Sequence, residues 1–193
     1  MEQYLYLDDY INFYNQKLNE IKIIIPYKKT LIDGRIINRK KFLKKFKMFL
    51  ETNKLNNKIF GESINVIINS SYSEEDKLII KEVLEELNYK NINFINEINL
   101  LKIDKNTLFI NYNYSYFYLY YLNNLGNIEM KLYKNDYINK KLINDIFKII
   151  QKDKIILCGK NIEELINIIK NKYYNYFYYE DHNNLYIKLA LKN

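Results

Sequence analysis

The segment from Ile64 to Ile95 constrains the fold more than any other part of the chain. Ile64-Asn65-Val66-Ile67-Ile68 is a short apolar run of the kind that forms a buried strand. Ser70-Ser71-Tyr72 follows, and Ser73 is placed to cap a helix running to Asn88. Within that helix Ile79, Ile80, Val83, Leu84 and Leu87 make one apolar stripe, while Glu74, Glu75 and Asp76 lie at the positive end of the helix dipole. A second strand is predicted at Ile92 to Ile95. Such a strand–helix–strand unit needs a crossover connection, which makes its strands parallel and its connection right-handed. At least this part of the chain is therefore an α/β layer structure.

The flanking segments extend it. Tyr4 to Asn15 alternates around Asp8-Asp9 and fits a hairpin, with a helix from Asp9 as the competing reading, and Ile21 to Ile25 is an apolar strand. Asp33-Gly34 stands between the apolar pairs Leu31-Ile32 and Ile36-Ile37, a turn signal because glycine accepts positive φ. Asn38 can cap a helix to about Thr52, with Phe42, Phe46, Phe49 and Leu50 on one face and Lys40, Lys41, Lys44, Lys45 and Lys47 around the rest. Beyond Lys105, strands are predicted at 107–111, 116–122 and 127–133, then a helix from Asn135-Asp136, a strand at 154–158, a helix at 161–172 and two closing strands. The second half thus reads β-β-β-α-β-α-β-β and partly echoes the first.

Composition removes several chemistries. The single cysteine, Cys158, and single histidine, His182, cannot build a structural zinc site, a disulfide framework or a dithiol pair. A Ser-His-Asp or Cys-His mechanism would have to run through His182, whose polar surroundings, Glu180 to Asn184, suit a turn residue. The four glycines, Gly34, Gly61, Gly126 and Gly159, lie too far apart for a Walker loop or a dinucleotide fingerprint. The net charge is +7, yet 30 Asn, 32 Ile and 21 Tyr against one Ala point to an AT-rich coding bias, so a nucleic-acid partner is not favoured. The chain opens without a signal-peptide pattern, and a cytoplasmic location is expected. The uncharged run 106–128 holds six Asn and alternating tyrosines, which suits strands better than a membrane span.

Three strands, helix, strand, helix, strand, given twice, resembles the layout of the actin and chaperone-ATPase superfamily, with two ribonuclease-H-like lobes around a nucleotide cleft. Four segments resemble the rod-shape-determining bacterial actins of the MreB type. Pro26 with Ile32-Asp33-Gly34-Arg35-Ile36-Ile37 is similar to the family's proline and Asp-Gly-Val-Ile stretch. Ser71-Tyr72-Ser73-Glu74-Glu75-Asp76-Lys77 is similar to its Pro-Ser and Thr-Glu-x-Glu-Lys helix start. Phe94-Ile95-Asn96-Glu97-Ile98 resembles the strand ending in the Glu that orients the attacking water. Ile155-Ile156-Leu157-Cys158-Gly159 resembles the start of the adenosine motif, and Asn183 to Ala190 falls on the family's C-terminal Asp-Pro-Leu segment.

The resemblance implies an α/β fold of two actin-like lobes, 1–104 and 105–193, each a mixed sheet with helices and both lacking the upper subdomains. It also locates what has been lost. The first phosphate hairpin falls on Asp8-Asp9-Tyr10-Ile11 and the second on Asn111-Tyr112-Asn113-Tyr114-Ser115-Tyr116-Phe117, neither with a glycine. Glu97 and Asp8 are then vestigial catalytic positions, and Asn111, Asn113, Ser115 and Gly159 vestigial nucleotide positions, with no metal and no cofactor expected. The implied role is a pseudo-ATPase that self-assembles or joins a full-length actin-like filament in the cytoskeleton, cell shape or division. Interface candidates are Tyr112, Tyr114, Tyr116 and Tyr118, for which core packing is the alternative, and Lys40, Lys44 and Lys47, which suit an anionic membrane surface or a solvated face. The alternatives are a residual ATPase using Glu97 and Asp8 with ATP and magnesium, and a basic nucleic-acid-binding module.

Overall fold

Ser73 begins the crossover helix as its sequence implies. Its hydroxyl accepts from the Asp76 N–H at 3.1 Å, and the Asp76 carboxylate accepts from the Ser73 N–H at 2.9 Å. This reciprocal pair satisfies two donors at the helix start. The computed structural model describes residues 2–55, 61–112, 116–134, 148, 154–159, 166–167, 176–179 and 182–192.

The chain forms two units, Met1–Leu100 together with Asn183–Asn193, and Leu101–His182. The first contains β1 (Gln3–Leu7), β2 (Ile11–Asn15), β3 (Glu20–Ile24), the small hairpin β4 (Leu31–Ile32) and β5 (Arg35–Ile36), α1 (Arg39–Thr52), β6 (Glu62–Ile68), α2 (Glu74–Glu86) and β7 (Tyr89–Asn96). Its main sheet has the order β3-β2-β1-β6-β7. The hairpin strands are antiparallel, while β1, β6 and β7 run parallel in the registers Tyr6↔Ile67 and Ile68↔Asn96. The parallel β6–α2–β7 crossover is thus present, and Tyr4 to Asn15 is the hairpin rather than a helix.

The second unit contains β8 (Thr107–Tyr112), β9 (Tyr116–Leu122), β10 (Ile128–Lys134), β11 (Lys154–Gly159) and β12 (Tyr176–Tyr179). Its order, β10-β9-β8-β11-β12, with antiparallel β8, β9 and β10 and parallel β8, β11 and β12, repeats the first sheet strand for strand. Lys148, Ile166 and Asn167 are helical; otherwise the helices expected at 135–150 and 161–172 lie outside the described residues.

Core residues follow the amphipathic patterns. Phe42, Phe46 and Leu50 of α1 are buried, and Phe46 meets Phe13 of β2 edge to face with centroids 5.3 Å apart. Each such side chain removed from water contributes about 1.5–3 kcal/mol. Asn38 caps α1 by accepting from the Lys41 N–H at 3.0 Å. Asp33 and Gly34 take φ of 50° and 80°, the two positive values that a tight two-residue hairpin loop requires.

The chain's end departs from expectation. Two strands are expected to close the chain; β12 is one, but the element after it, α3 (His182–Ala190), is a helix and packs with the first unit. Leu185, Tyr186, Ile187 and Ala190 are buried while Lys188 is exposed. Strict alternation would have placed Tyr186 and Lys188 on one face. Tyr186 instead sets its ring 5.1 Å from that of Tyr6. His182 is accordingly the first residue of a helix, not a turn residue.

Candidate functional site

Parallel strands bring their carboxyl ends to one edge of a sheet, where α/β proteins place their chemistry. In the first unit the residues immediately after β1, β6 and β7 are Asp8, Asn69 and Glu97. All three are buried, and Glu97, which opens a 3-10 turn, has no exposed surface. The sequence therefore named two of the three strand-end residues, and the register brings them to the same edge.

Asp8 organises the bend between β1 and β2. Its Oδ1 accepts from the Tyr10 N–H at 2.6 Å and from Asn12 Nδ2 at 3.3 Å, and its own N–H donates to the Tyr10 carbonyl at 3.1 Å. The backbone donor of Tyr10 is thus spent on a carboxylate of the same turn. No residue of this bend takes positive φ. The Gly34 N–H donates to the Asp8 carbonyl at 3.1 Å, tying the small hairpin onto the bend.

Next to these carboxylates stands Tyr72, buried in the loop between β6 and α2. A Cβ placed on Gly34 would lie 2.3 Å from the Tyr72 hydroxyl and 2.5 Å from the Leu7 carbonyl oxygen, so the ring end fills the space at the end of β1. Burial pushes the Tyr72 hydroxyl pKa well above its ordinary value; Arg35 opposes the shift, and the charges of Glu97, Asp76 and Asp8 add to it. Both predicted carboxylates therefore act electrostatically on the same tyrosine. Asn96 Oδ1 joins the neighbouring loops by accepting from Ser70 Oγ at 2.7 Å and from the Ile98 N–H at 3.1 Å.

Arg35 holds this arrangement from β5. Its guanidinium lies over the Tyr72 ring, 5.6 Å from the centroid, and donates to Asp76 Oδ2, the Ser71 carbonyl and Ser71 Oγ, each at 3.2 Å. Tyr72 and Arg35 are the site residues that sequence reasoning did not single out. A signal existed: the chain has two arginines among its 30 basic residues, and both reach α2, Arg35 through Asp76 and Arg39 through Glu82 and Glu86.

In the second unit Asn111 is buried inside β8, opposite Tyr118 of β9 and Cys158 of β11, and Gly159 lies opposite Tyr112 at the same strand ends. Asn113, Tyr114 and Ser115 lie outside the described residues, and of Tyr112 and Tyr116 only the strand positions are described. Tyr118 is not a surface aromatic: it is 1% exposed and stacks on the equally buried Tyr120 at 6.2 Å. Lys40, Lys44 and Lys47 are exposed on α1. Among the described residues no group of three or more His, Cys, Asp or Glu converges as a metal site, and no helix is long and apolar enough to cross a membrane.

No protein-family model and no curated protein matches the sequence. The fold does match solved structures. A Bacteroides thetaiotaomicron protein with an actin-like ATPase fold and unknown function is similar over 100% of this chain and 95% of that one, with a TM-score of 0.61 and 12% identity. The chain has an actin-like ATPase fold. MreB5 of Spiroplasma citri bound to AMPPNP is similar with a TM-score of 0.62 at 11% identity, over 100% of this chain and 96% of that one. A non-polymerising MamK mutant bound to AMPPNP gives 0.57 at 7% identity, over 99% and 97%. In the first unit only four residues, 27–30, separate Pro26 from Leu31, where the resemblance to the rod-shape-determining actins places an inserted subdomain.

Proposed function

We propose that the chain is a catalytically degenerate actin-like protein that works by assembly, with itself or on a full-length actin-like filament, and does not hydrolyse ATP. The reading rests on the Asp8 turn. A triphosphate is held by free backbone N–H groups approached closely, usually at glycine. In this turn the Tyr10 N–H is already bonded to the Asp8 carboxylate at 2.6 Å, and Tyr10 supplies a side chain where the resemblance places glycine. The anion would meet a negative charge in place of a donor. Glu97 has no exposed surface, so the carboxylate that the resemblance assigns to the attacking water is closed off from solvent. These residues do not fit a nucleotide's phosphates, so no catalytic step is assigned to them.

Assembly is supported by the fold itself, since polymerisation is a property that the MamK neighbour's mutant is described as lacking. Two measurements test the proposal. The melting temperature should stay unchanged with excess ATP and magnesium, whereas a ligand at 100 times its Kd would add about 2.7 kcal/mol. Pelleting, alone or with a full-length actin-like filament protein, should occur and be indifferent to ATP. Phosphate release that disappears in Glu97→Gln would overturn the proposal in favour of a residual ATPase, and binding that collapses steeply with salt on adding nucleic acid would favour the basic-module alternative.

A further inference from the structure

β10 forms one edge of the second unit's sheet, with β9 as its strand neighbour among the described residues. Edge strands carry a row of backbone groups ready to pair with another chain, and natural edges are usually bent, shortened or covered. β10 is seven residues long, regular in register with β9 from Ile128↔Leu122 to Lys134↔Tyr116, and contains no proline. Ile128, Met130 and Leu132 share one face at 38%, 37% and 44% exposure. Glu129 and Lys131 share the other.

The order of these residues selects a partner. In an antiparallel pair related by a twofold axis normal to the sheet, directly opposed residues lie on the same face, so the axis must pass through a residue. Centred on Met130, two copies of β10 set Met130 against Met130, Ile128 against Leu132, and Glu129 against Lys131, twice. Centred on Glu129 or on Lys131, like charges meet at the axis. The pattern Ile-Glu-Met-Lys-Leu is therefore self-complementary in one register.

The charged face is also held ready. The Tyr121 hydroxyl donates to Glu129 Oε2 at 2.6 Å and Asn123 Nδ2 to Glu129 Oε1 at 2.8 Å, while Lys131 Nζ lies 5.9 Å from the centre of the same Tyr121 ring. Side chains already ordered lose less freedom on association. We infer that β10 is a docking edge for a second copy of this chain, pairing antiparallel about Met130 to join two five-stranded sheets into one. This contact closes on itself as a dimer, unlike the head-to-tail contacts of a filament, and it does not depend on the nucleotide reading.

Sedimentation velocity of the full chain, after a high-speed spin to remove polymer, tests it. The wild type should form a dimer. Glu129→Lys should weaken it about tenfold by creating two Lys–Lys pairs, and the double variant Glu129→Lys with Lys131→Glu should restore it by reversing both pairs. Under oxidation Met130→Cys should cross-link to its own copy, because opposed strand residues lie about 4.5–5.5 Å apart at Cα, within disulfide reach. Leu132→Cys should not, being roughly 13 Å from its counterpart in this register. A wild type that stays monomeric at about 100 µM overturns the inference. So does equal cross-linking of the two cysteine variants, or a dimer that Glu129→Lys leaves unchanged.

Discussion

The Arg35 guanidinium lies over the Tyr72 ring at 5.6 Å while its Nε donates to Asp76 Oδ2 at 3.2 Å, so one side chain fixes the tyrosine and the start of α2 together. Tyr72 in turn feels the charges of Glu97, Asp76 and Asp8. Removing the clamp loosens the loop that fills the strand ends. Arg35→Ala should lower stability by about 2 kcal/mol, read from the urea midpoint at constant slope. Arg35→Lys should recover less than half, because a single ammonium cannot cover the ring and reach both Ser71 and Asp76.

Gly34 and Gly126 have nearly the same φ, 80° and 81°, but not the same surroundings. At Gly126 a Cβ meets nothing within 4 Å, whereas at Gly34 it meets Tyr72 and the Leu7 carbonyl. Gly126→Ala should therefore cost only the backbone penalty of about 1–2 kcal/mol. Gly34→Ala adds a steric clash and should cost about 3 kcal/mol or more. Chemical denaturation of the two variants side by side checks the difference.

Asp76 gives the fold an acid limit. Burial raises its pKa, but hydrogen bonds from the Ser73 backbone and hydroxyl, with Arg35, reverse this and leave it below the ordinary 3.8. A carboxylate whose folded pKa is the lower one stabilises fully above the unfolded value, and that stability is lost as pH falls through the folded value. The melting temperature should therefore fall as the pH drops below about 4. Asp76→Asn should be less stable at neutral pH and show a flatter acid limb.

Tyr118 tests core against interface. Buried and stacked on Tyr120, it should behave as a packing residue. Tyr118→Ala should lower stability by roughly 3 kcal/mol or more, seen in thermal and urea melts. Loss of pelleting without loss of stability would return it to the interface.

The strand–helix–strand block was legible because its signals are local. Ser73 and Asp76 are three residues apart and complete their capping box without help from distant parts of the chain. Asp33-Gly34 is a turn for a similar reason: the positive φ values favour these residue types wherever the hairpin sits. The last segment was not legible, since Leu185, Ile187 and Leu189 alternate as a strand would while Leu185, Tyr186 and Ala190 also fit a helix face. Its choice came from burial of Tyr186 against Tyr6, 180 positions earlier in the chain.

Apolar spacing, caps and turn residues determined which stretches became strands and helices and in what order, because those preferences act within a few residues of backbone. The resemblance to the rod-shape-determining actins further implied that glycine is missing from the two bends where that family holds phosphates. Only the tertiary structure decided what stands there instead. Tyr72 is an ordinary loop residue in the sequence, and it becomes the filler of the strand ends because β5, β6 and α2 bring Arg35, Ser71 and Asp76 around it, contacts between segments that local preference does not encode.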